Sequence, residues 1–307
     1  MKATVTVACV QVEPAVLDRD ATLDRLAEHT KEAASAGAEL VVFPETFVSV
    51  YPSSIWAKAL AGWSDPRAKA AFAQLVESAV EVPGPAADRL GEIAREHSVW
   101  LVTGVNEVDP TRNGTVYNTL LYHAPDGSFA LKHRKLVPTN HERLVWGQGD
   151  GGGLRALATP LGRIGGLVCW EAYMPLARFA LYESGVEIYL ASTADDGDAW
   201  QATLVHIARE SRAYVIAPCH FQRASAYPEG FPLGELLEGH DVIGRGGSAI
   251  LAPDGSYLAG PLYDEEGIRY WELDATRLHE ERQRFDPAGH YHRPDILRLD
   301  VTPNQSS

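Results

Sequence analysis

Residues 162–176, GRIGGLVCWEAYMPL, change from an apolar run to a polar and aromatic segment at a single cysteine. The small apolar residues before Cys169 are typical of a buried strand, and Pro175 suits the first turn of a helix. A thiol at such a turn has backbone N–H groups nearby that can receive a developing negative charge. On these residues alone, Cys169 is either a nucleophile or a buried structural cysteine, the commoner fate of an unpaired cysteine.

The segments around this stretch alternate between strand and helix patterns, which is typical of an α/β fold. Strands are predicted at 4–12, 39–45, 99–105, 186–192 and 213–218. Helices are predicted at 20–36, 65–80, 86–97, 175–184 and 200–212, and hairpins at 114–138, 154–169 and 246–261. The pattern predicts sheets with helices packed outside them.

A faint internal repeat accompanies this alternation. SAGAELVVFPE (35–45) resembles ESGVEIYLAST (183–193), and EIAREHSVWLVTG (92–104) resembles HIARESRAYVIAP (206–218). Either the chain contains two similar halves, or these are unrelated amphipathic helix–strand units that look alike. Because no Pro/Ser-rich linker separates the halves, we expect one domain over residues 1–300, followed by a disordered-looking tail at 301–307.

Composition excludes several classes of protein. The 307 residues carry 41 acidic and 27 basic side chains, a formal net charge of −14, with no Lys/Arg block for nucleic acid or an anionic membrane. No apolar run approaches membrane-spanning length. Three cysteines far apart in sequence argue against a disulfide framework. We therefore predict a soluble cytoplasmic protein in which Cys9 and Cys219 are buried structural cysteines.

Two further polar residues follow strand patterns. Glu45 comes directly after LVVFP, and Lys135 lies in LKHRKLVP. A cation beside Cys169 would favour the thiolate, and a carboxylate could take the thiol proton or activate water. The alternatives are a solvated lysine and a loop-end glutamate, because spacing alone does not show that the three residues meet.

The three segments together identify a family. LVVFPET, HRKLVPT and GLVCWE resemble, in this order, the signature segments of the nitrilase superfamily, and the resemblance runs from residue 4 to about 300. It implies a catalytic triad of Glu45, Lys135 and Cys169 and a four-layer α-β-β-α sandwich. Residues 141–151, 174–185, 193–217 and 285–299 are similar to true nitrilases rather than to the amidases or ureidopropionases of the superfamily.

The resemblance to true nitrilases implies more about the site and the reaction. Glu142 matches a second glutamate that accompanies the triad, although pairing with Arg143 or solvent is the alternative. The implied reaction is hydrolysis of an organic nitrile to its carboxylic acid and ammonia, without metal or other cofactor. The implied partners are a small-molecule nitrile and further copies of the chain, as a homodimer or larger, possibly helical, homo-oligomer.

One position departs from the family pattern. Many relatives have CWEHYMP or CWENYMP where this chain has CWEAYMP, so Ala172 replaces a polar side chain close to the nucleophile. We expect this change to affect substrate preference and the ratio of acid to amide product, but not the triad. The chain also ends soon after RPDILRL, which favours dimers over filaments.

The remaining motifs have less specific interpretations. Trp170, Tyr51 and Trp146 are candidates for substrate contacts, with core or interface packing as the alternative. HYH at 290–292 is interpreted as a structural turn rather than a metal site, since a third ligand is missing. GQGDGGG at 147–153 lacks the lysine of a phosphate loop and is interpreted as a flexible connection.

Three other functions remain open at this point. An amidase would use the same triad on a different substrate, and a cyanide-degrading enzyme would be a narrower variant. A non-catalytic member that only assembles or binds a partner is a third alternative, against which the intact Glu45, Lys135 and Cys169 argue.

Overall fold

The computed structural model describes residues 1–112 and 114–303. Their strands are β1 (Thr4–Gln11), β2 (Leu40–Val42), β3 (Val80–Glu81), β4 (Trp100–Val108), β5 (Val116–His123), β6 (Phe129–Arg134), β7 (Leu157–Thr159), β8 (Gly162–Gly166), β9 (Ile188–Leu190), β10 (Tyr214–Ala217), β11 (Phe221–Arg223), β12 (Val242–Leu251), β13 (Tyr257–Tyr263) and β14 (Gly267–Asp274). Their helices are α1 (Arg19–Ser35), α2 (Ser54–Ala57), α3 (Pro66–Glu77), α4 (Pro85–His97), α5 (Pro175–Glu183), α6 (Asp198–Ser211) and α7 (Ala275–Arg284).

The strands form two sheets of matching topology. The first runs β14-β1-β2-β4-β5-β6, with β1, β2 and β4 parallel, β5 and β6 antiparallel, and β3 beside β4. The second runs β11-β12-β10-β9-β8-β7, with β8, β9 and β10 parallel and β12 and β13 antiparallel. Each half therefore has three parallel strands followed by an antiparallel pair, which confirms the internal repeat at the level of topology.

The apolar side chains are arranged in three main layers. One cluster lies between the sheets and takes Val7 and Val42 from the first and Ile164 and Ile216 from the second. A second cluster joins the first sheet to α1 and α4, and a third joins the second sheet to α5 and α6. Strands covered on both faces are apolar throughout, as β2 and β9 are. The fold is the predicted four-layer α-β-β-α sandwich.

The helix boundaries follow local chemistry. The Asp18 carboxylate caps α1 by accepting a hydrogen bond from the Ala21 N–H at 3.0 Å, and Pro175 opens α5 as predicted. Gly185 follows α5 with φ +80°, a conformation that glycine adopts without strain. In contrast, the helix predicted at 65–80 is too long, because Val80–Glu81 leaves the helix and pairs with β4 as β3.

Two elements near the C-terminus were not predicted. Strand β14 pairs along the whole length of β1 in antiparallel register, and α7 follows it directly. GIRYWELD has mixed polarity, and four of the eight residues of β14 are half-buried and three are exposed, so its apolar pattern is weak. Its partner strand lies more than 250 residues earlier in the chain. The single domain over 1–300 stays a prediction, and residues 304–307 of the predicted tail lie outside the described residues.

None of the helices in the described ranges is long and apolar enough to cross a membrane. Within the same ranges, no group of three or more His, Cys, Asp or Glu side chains is placed to hold a metal ion. The histidine at the end of the HYH motif, His292, instead packs edge-on against Phe179 at 5.1 Å between ring centroids.

Candidate active site

The four residues predicted to be catalytic lie at the ends of elements from both sheets. Glu45 follows β2 and Lys135 follows β6 in the first sheet, whereas Cys169 follows β8 in the second. Glu142 belongs to a short 3₁₀ turn, Asn140–Leu144. All four side chains are buried. The site therefore lies where the two sheets meet, at the ends of the parallel strands.

Lys135 joins the two glutamates. Its Nζ donates to Glu45 Oε1 at 3.0 Å and to Glu142 Oε2 at 2.6 Å. Burial alone would lower the pKa of Lys135, but attraction to Glu45, Cys169 and Glu142 raises it above the usual value. The lysine is therefore a fixed cation between two carboxylates.

Glu45 is held by donors from both halves of the chain. Asn118 Nδ2 on β5 donates to its Oε1 at 2.6 Å, and the Ala194 N–H donates to its Oε2 at 2.9 Å. The His220 ring Nε2 also hydrogen-bonds the Glu45 backbone carbonyl. Burial raises the pKa of Glu45 despite the nearby Lys135 charge. A carboxyl group with a raised pKa is suited to take up and release a proton near neutral pH.

Cys169 occupies a left-handed backbone conformation, φ +54°, at the start of a 3₁₀ turn, Cys169–Tyr173. Its N–H donates to the Ser192 carbonyl at 2.9 Å, so this N–H is not free to bind an oxyanion. The N–H of Trp170 has no hydrogen bond to any described residue. Trp170 therefore supplies the backbone donor closest in sequence to the thiol.

The Cys169 thiol has one direct side-chain partner. Thr193 Oγ1 lies 3.1 Å from Sγ, and the same oxygen accepts a hydrogen bond from the Asp195 N–H at 2.9 Å. Burial first, and then the Glu45 charge, raise the pKa of Cys169, while Lys135 and Thr193 oppose that shift. The resting group is accordingly a neutral thiol that requires a base.

A buried hydrogen-bonded pair, His133 and Glu171, fixes the nucleophile turn to the lysine segment. His133 Nε2 lies 2.9 Å from Glu171 Oε2, and all atoms of both side chains are buried. The Glu171 carboxylate also accepts from the N–H of Val168 and of Leu136, each at 2.8 Å. Although burial opposes it, His133 lowers the pKa of Glu171 below its usual value. Glu171 therefore joins the segments that carry Cys169 and Lys135.

The three aromatic candidates have different environments. The Tyr51 hydroxyl donates to Glu142 Oε1 at 2.8 Å, and its ring lies 5.9 Å from that of Trp146. Trp146 is buried with its ring 5.7 Å from Lys135 Nζ. Trp170 is 49% exposed and donates from Nε1 to the Asp195 carboxylate at 2.6 Å. Tyr51 and Trp146 thus lie beside the glutamates and lysine, and Trp170 lies at the surface.

A cleft of about 250 Å³ lies beside these residues. Its walls come from the loop between β2 and α2 with the start of α2, the 3₁₀ turn of Glu142, the loops after β9 and β10, and strands β11 and β12. The lining residues are Tyr51, Ser53, Ser54, His141, Ala194, Asp195, Asp196, His220, Gln222, Ile243 and Gly244. Of the three aromatic candidates, Tyr51 lines the cleft, whereas Trp146 and Trp170 are not among the lining residues, and substrate contact stays a prediction for all three.

Ala172, the departure from the family pattern, does not face this cleft. Its side chain is fully buried in the apolar cluster under α5 and α6, with Leu181 and Trp200. Its carbonyl accepts a hydrogen bond from Arg178 Nη1 at 2.6 Å. A polar residue at this position would require a buried hydrogen-bond partner. The effect of Ala172 on products stays a prediction.

Several contacts of the site were not predicted. Asn118 is an amide in the apolar strand VYNTLLYH, and that interruption was a usable signal. Thr193 occupies the position in the repeat 183–193 that corresponds to Glu45 in 35–45, so the repeat could have identified it. The Ala194 N–H has no signature in sequence, because every residue type except proline carries that donor.

Comparison with known proteins identifies the family of the chain. A carbon–nitrogen hydrolase family model matches residues 6–283. Nitrilase 1 of Arabidopsis thaliana is 40% identical to the chain, covering 97% of it and 87% of the plant protein. The aliphatic nitrilase of Sinorhizobium fredii is 41% identical, covering 98% and 96% of the two chains.

The fold agrees as well. The crystal structure of Nit3 from Saccharomyces cerevisiae, a member of the nitrilase superfamily, matches with a TM-score of 0.73 at 22% identity, covering 95% of this chain and 97% of Nit3. Taken with the full-length sequence relatives, this places the chain in the nitrilase branch of the carbon–nitrogen hydrolase family.

Proposed function

We propose that the protein hydrolyses an organic nitrile to its carboxylic acid and ammonia, with Cys169 as nucleophile. The observation that carries the proposal is the buried Lys135, hydrogen-bonded to both Glu45 and Glu142 beside a neutral buried thiol. The nitrilases at about 40% identity over nearly the whole chain support a nitrile as substrate.

The first half of the reaction makes a covalent bond to sulfur. Glu45 accepts the Cys169 proton while Sγ attacks the nitrile carbon, and Glu45 then passes this proton to the nitrogen, which gives a thioimidate and restores the carboxylate. Lys135 and the Trp170 N–H stabilise the negative charge that develops on that nitrogen. The hydroxyl of Thr193 can donate to the sulfur whenever it carries charge.

The second half consumes two water molecules. A water activated by Glu45 adds to the thioimidate carbon, and the tetrahedral intermediate expels ammonia to leave a thioester. A second water then attacks the thioester, and cleavage of the carbon–sulfur bond releases the acid and restores the thiol. If the carbon–sulfur bond of the first tetrahedral intermediate breaks instead, the product is the amide.

Ammonia release from matched nitrile and amide panels tests the proposal. We expect nitriles to be hydrolysed by the unmodified enzyme and Cys169→Ala to abolish ammonia release while the chain stays folded. Cys9→Ala is the matched control, since Cys9 is also buried but its Sγ contacts the Ala249 carbonyl rather than any of the proposed catalytic residues. Activity on amides alone would contradict the nitrilase assignment and leave an amidase. Turnover of cyanide alone would leave the cyanide-degrading alternative.

We also infer that the protein acts in the cytoplasm as a homodimer or larger homo-oligomer. The three free cysteines suit a reducing compartment. Exposed apolar side chains next to α5 and on its first turn, Tyr173 at 43% and Leu176 at 68%, are consistent with a contact between copies. A single domain over 1–300 would agree with the apolar layer shared by both sheets.

A further inference from the structure

The cleft is directly connected to the proposed catalytic residues. In its wall, Ala194 donates its N–H to Glu45, and Tyr51 donates its hydroxyl to Glu142. Asp195, also in the wall, donates its N–H to the Thr193 hydroxyl that contacts Cys169. A molecule in the cleft therefore lies one residue away from Glu45 and Glu142, and two residues away from Cys169 through Asp195 and Thr193.

The size of the cleft limits what can enter. Its volume of about 250 Å³ is below the roughly 300–1,000 Å³ of pockets that hold drug-sized ligands. At about 30 Å³ for each water in the liquid, it corresponds to roughly eight waters. A space of this size still admits a small ring, since a cavity of about 150 Å³ holds benzene, so charge and hydrogen bonding rather than volume decide the selection among small nitriles.

The charges on the walls have one sign. Asp195 and Asp196 are carboxylates in the lining, and the lining contains neither lysine nor arginine. Its two histidines are neutral at pH 7, because burial lowers the pKa of His220 to about 4 and also lowers that of His141. An anion in this cleft would face two negative charges with no cation in the lining.

Arg245, which follows the lining residue Gly244, does not make the charge of the cleft positive. Arg245 donates from Nε and Nη2 to the backbone carbonyl of Asp196, and from Nη2 to the exposed Asp198 carboxylate at 3.2 Å. The Arg245 guanidinium is therefore already paired with a third carboxylate, that of Asp198. In the interior, Lys135 stands between the two glutamates, so the catalytic residues supply no surplus positive charge either.

The walls also present acceptors for hydrogen bonds. The carboxylates of Asp195 and Asp196 accept without donating. Because His220 Nε2 donates to the Glu45 carbonyl, its Nδ1 is an acceptor, and no described residue donates to that buried atom. A substrate group that donates hydrogen bonds, such as a hydroxyl or an ammonium, matches these acceptors.

We propose that the cleft selects small hydrophilic nitriles that are neutral or cationic and carry a hydrogen-bond donor, in preference to anionic nitriles and to apolar nitriles that lack a donor. This inference rests on the proposed nitrile hydrolysis and specifies its substrate class. Asp195 and Asp196 are the specificity-determining residues.

Four probes of different charge and polarity test the inference through kcat/KM at pH 7. They are aminobutyronitrile as cation, hydroxypropionitrile as neutral donor, cyanoacetate as anion and phenylacetonitrile as apolar probe without a donor. We expect the first two to be preferred at least tenfold over the last two. Raising the ionic strength should reduce the discrimination against cyanoacetate, since the carboxylates act partly through solvent.

Two variants identify the residues responsible. Asp196→Asn keeps a side-chain oxygen that can accept from the backbone N–H of Arg245. Asp195→Asn keeps one side-chain oxygen, which can accept from either the Gly197 N–H or the Trp170 Nε1–H. We expect each to raise the ratio of kcat/KM for cyanoacetate over hydroxypropionitrile several-fold, and the pair about tenfold. Asp24→Asn, on the outer helix α1, is the matched control and should leave the ratio unchanged.

The outcomes separate this inference from the proposed function. Nitrile hydrolysis with a preference for cyanoacetate or phenylacetonitrile overturns the inference and leaves nitrile hydrolysis standing. An unchanged ratio in the double variant also overturns it. Hydrolysis of amides but of none of the four nitriles contradicts the proposed nitrile hydrolysis itself. The inferred substrate class, which depends on that reaction, is then contradicted as well.

Discussion

At the scale of single residues, the hydroxyl proton of Thr193 bears most directly on the ionisation of Cys169. Thr193 Oγ1 accepts from the Asp195 N–H, so its own proton is free to point at Cys169 Sγ 3.1 Å away. A neutral thiol gains little from that donor, whereas a thiolate gains a charge-assisted hydrogen bond. Thr193 is therefore expected to favour the ionised form of the nucleophile.

Replacing Thr193 tests this directly. A hydrogen bond to a charged group contributes about 1.5–3 kcal/mol, and 1.36 kcal/mol corresponds to one pH unit. Thr193→Val should therefore shift the pH dependence of Cys169 alkylation by iodoacetamide upward by about one to two units. Thr193→Ser keeps the hydroxyl, so the pH dependence of its alkylation should stay close to that of the unmodified protein. Equal alkylation profiles for the valine and serine variants would show that the hydroxyl does not act on the sulfur.

At the scale of elements, strand β4 determines where Glu45 lies. Gly104 of β4 faces the turn after β2, and a Cβ at this position would overlap the Pro44 carbonyl and the Thr46 N–H. Both neighbours are backbone atoms, so the turn that carries Glu45 would have to move. Glycine is required at position 104 because backbone atoms of the turn lie close to it, and not because its own backbone angles exclude other residues.

Gly104→Ala is expected to lower both activity and stability. Overpacking of this kind costs about 1–3 kcal/mol, and displacement of Glu45 should lower kcat by at least tenfold. The matched control is Gly234→Ala, where an added Cβ meets no atom within 4 Å. Kinetics and urea unfolding of both variants make the comparison. An active Gly104→Ala enzyme would mean that the turn tolerates the shift.

The buried pair of His133 and Glu171 joins β6 to the nucleophile turn. The buried Glu171 carboxylate is hydrogen-bonded to His133 and to the Val168 and Leu136 N–H groups, and a hydrogen bond to a charged group contributes about 1.5–3 kcal/mol, so Glu171→Gln should lower the free energy of unfolding at pH 7 by about that amount. Because the folded protein holds the pKa of Glu171 below its unfolded value, this stability is present above about pH 4.3. It is lost as the pH falls through the lower, folded pKa.

Urea unfolding at neutral and acidic pH measures this dependence. The difference between the unmodified protein and Glu171→Gln should be largest at pH 7 and should shrink once the pH falls through the folded pKa. Glu187→Gln, at the partly exposed contact with the N-terminal amine, is the control and should have a much smaller effect. A difference that is constant across the pH range would rule out ionised Glu171 as its source.

At the scale of the whole molecule, sequence predicted the architecture and the identity of the proposed catalytic residues better than their surroundings. Glu45, Lys135 and Cys169 were identifiable because each follows a buried strand within a recognisable motif. Their mutual geometry depends on two sheets meeting, with the Ala194 N–H of one sheet donating to Glu45 of the other. Such a contact between distant backbone segments leaves no pattern in sequence.

Assembly is the second property at this scale. Apolar side chains remain exposed near α5 and in the segment after α7, among them Leu176, Ile296 and Leu297 at 65–69%. Light scattering after size exclusion should give at least twice the 33.4 kDa chain mass, and Leu176→Glu should shift it towards the monomer. A mass of one chain at micromolar concentration would contradict the expected homo-oligomer.

The central claim is that Cys169 forms a covalent intermediate with a nitrile. Intact-protein mass spectrometry of enzyme quenched with acid during turnover of hydroxypropionitrile tests it most directly. The account predicts an added mass equal to the thioimidate or thioester, mapped by peptide digestion to Cys169 and missing from Cys169→Ala. An adduct on another residue, or continued nitrile hydrolysis by Cys169→Ala, would contradict it.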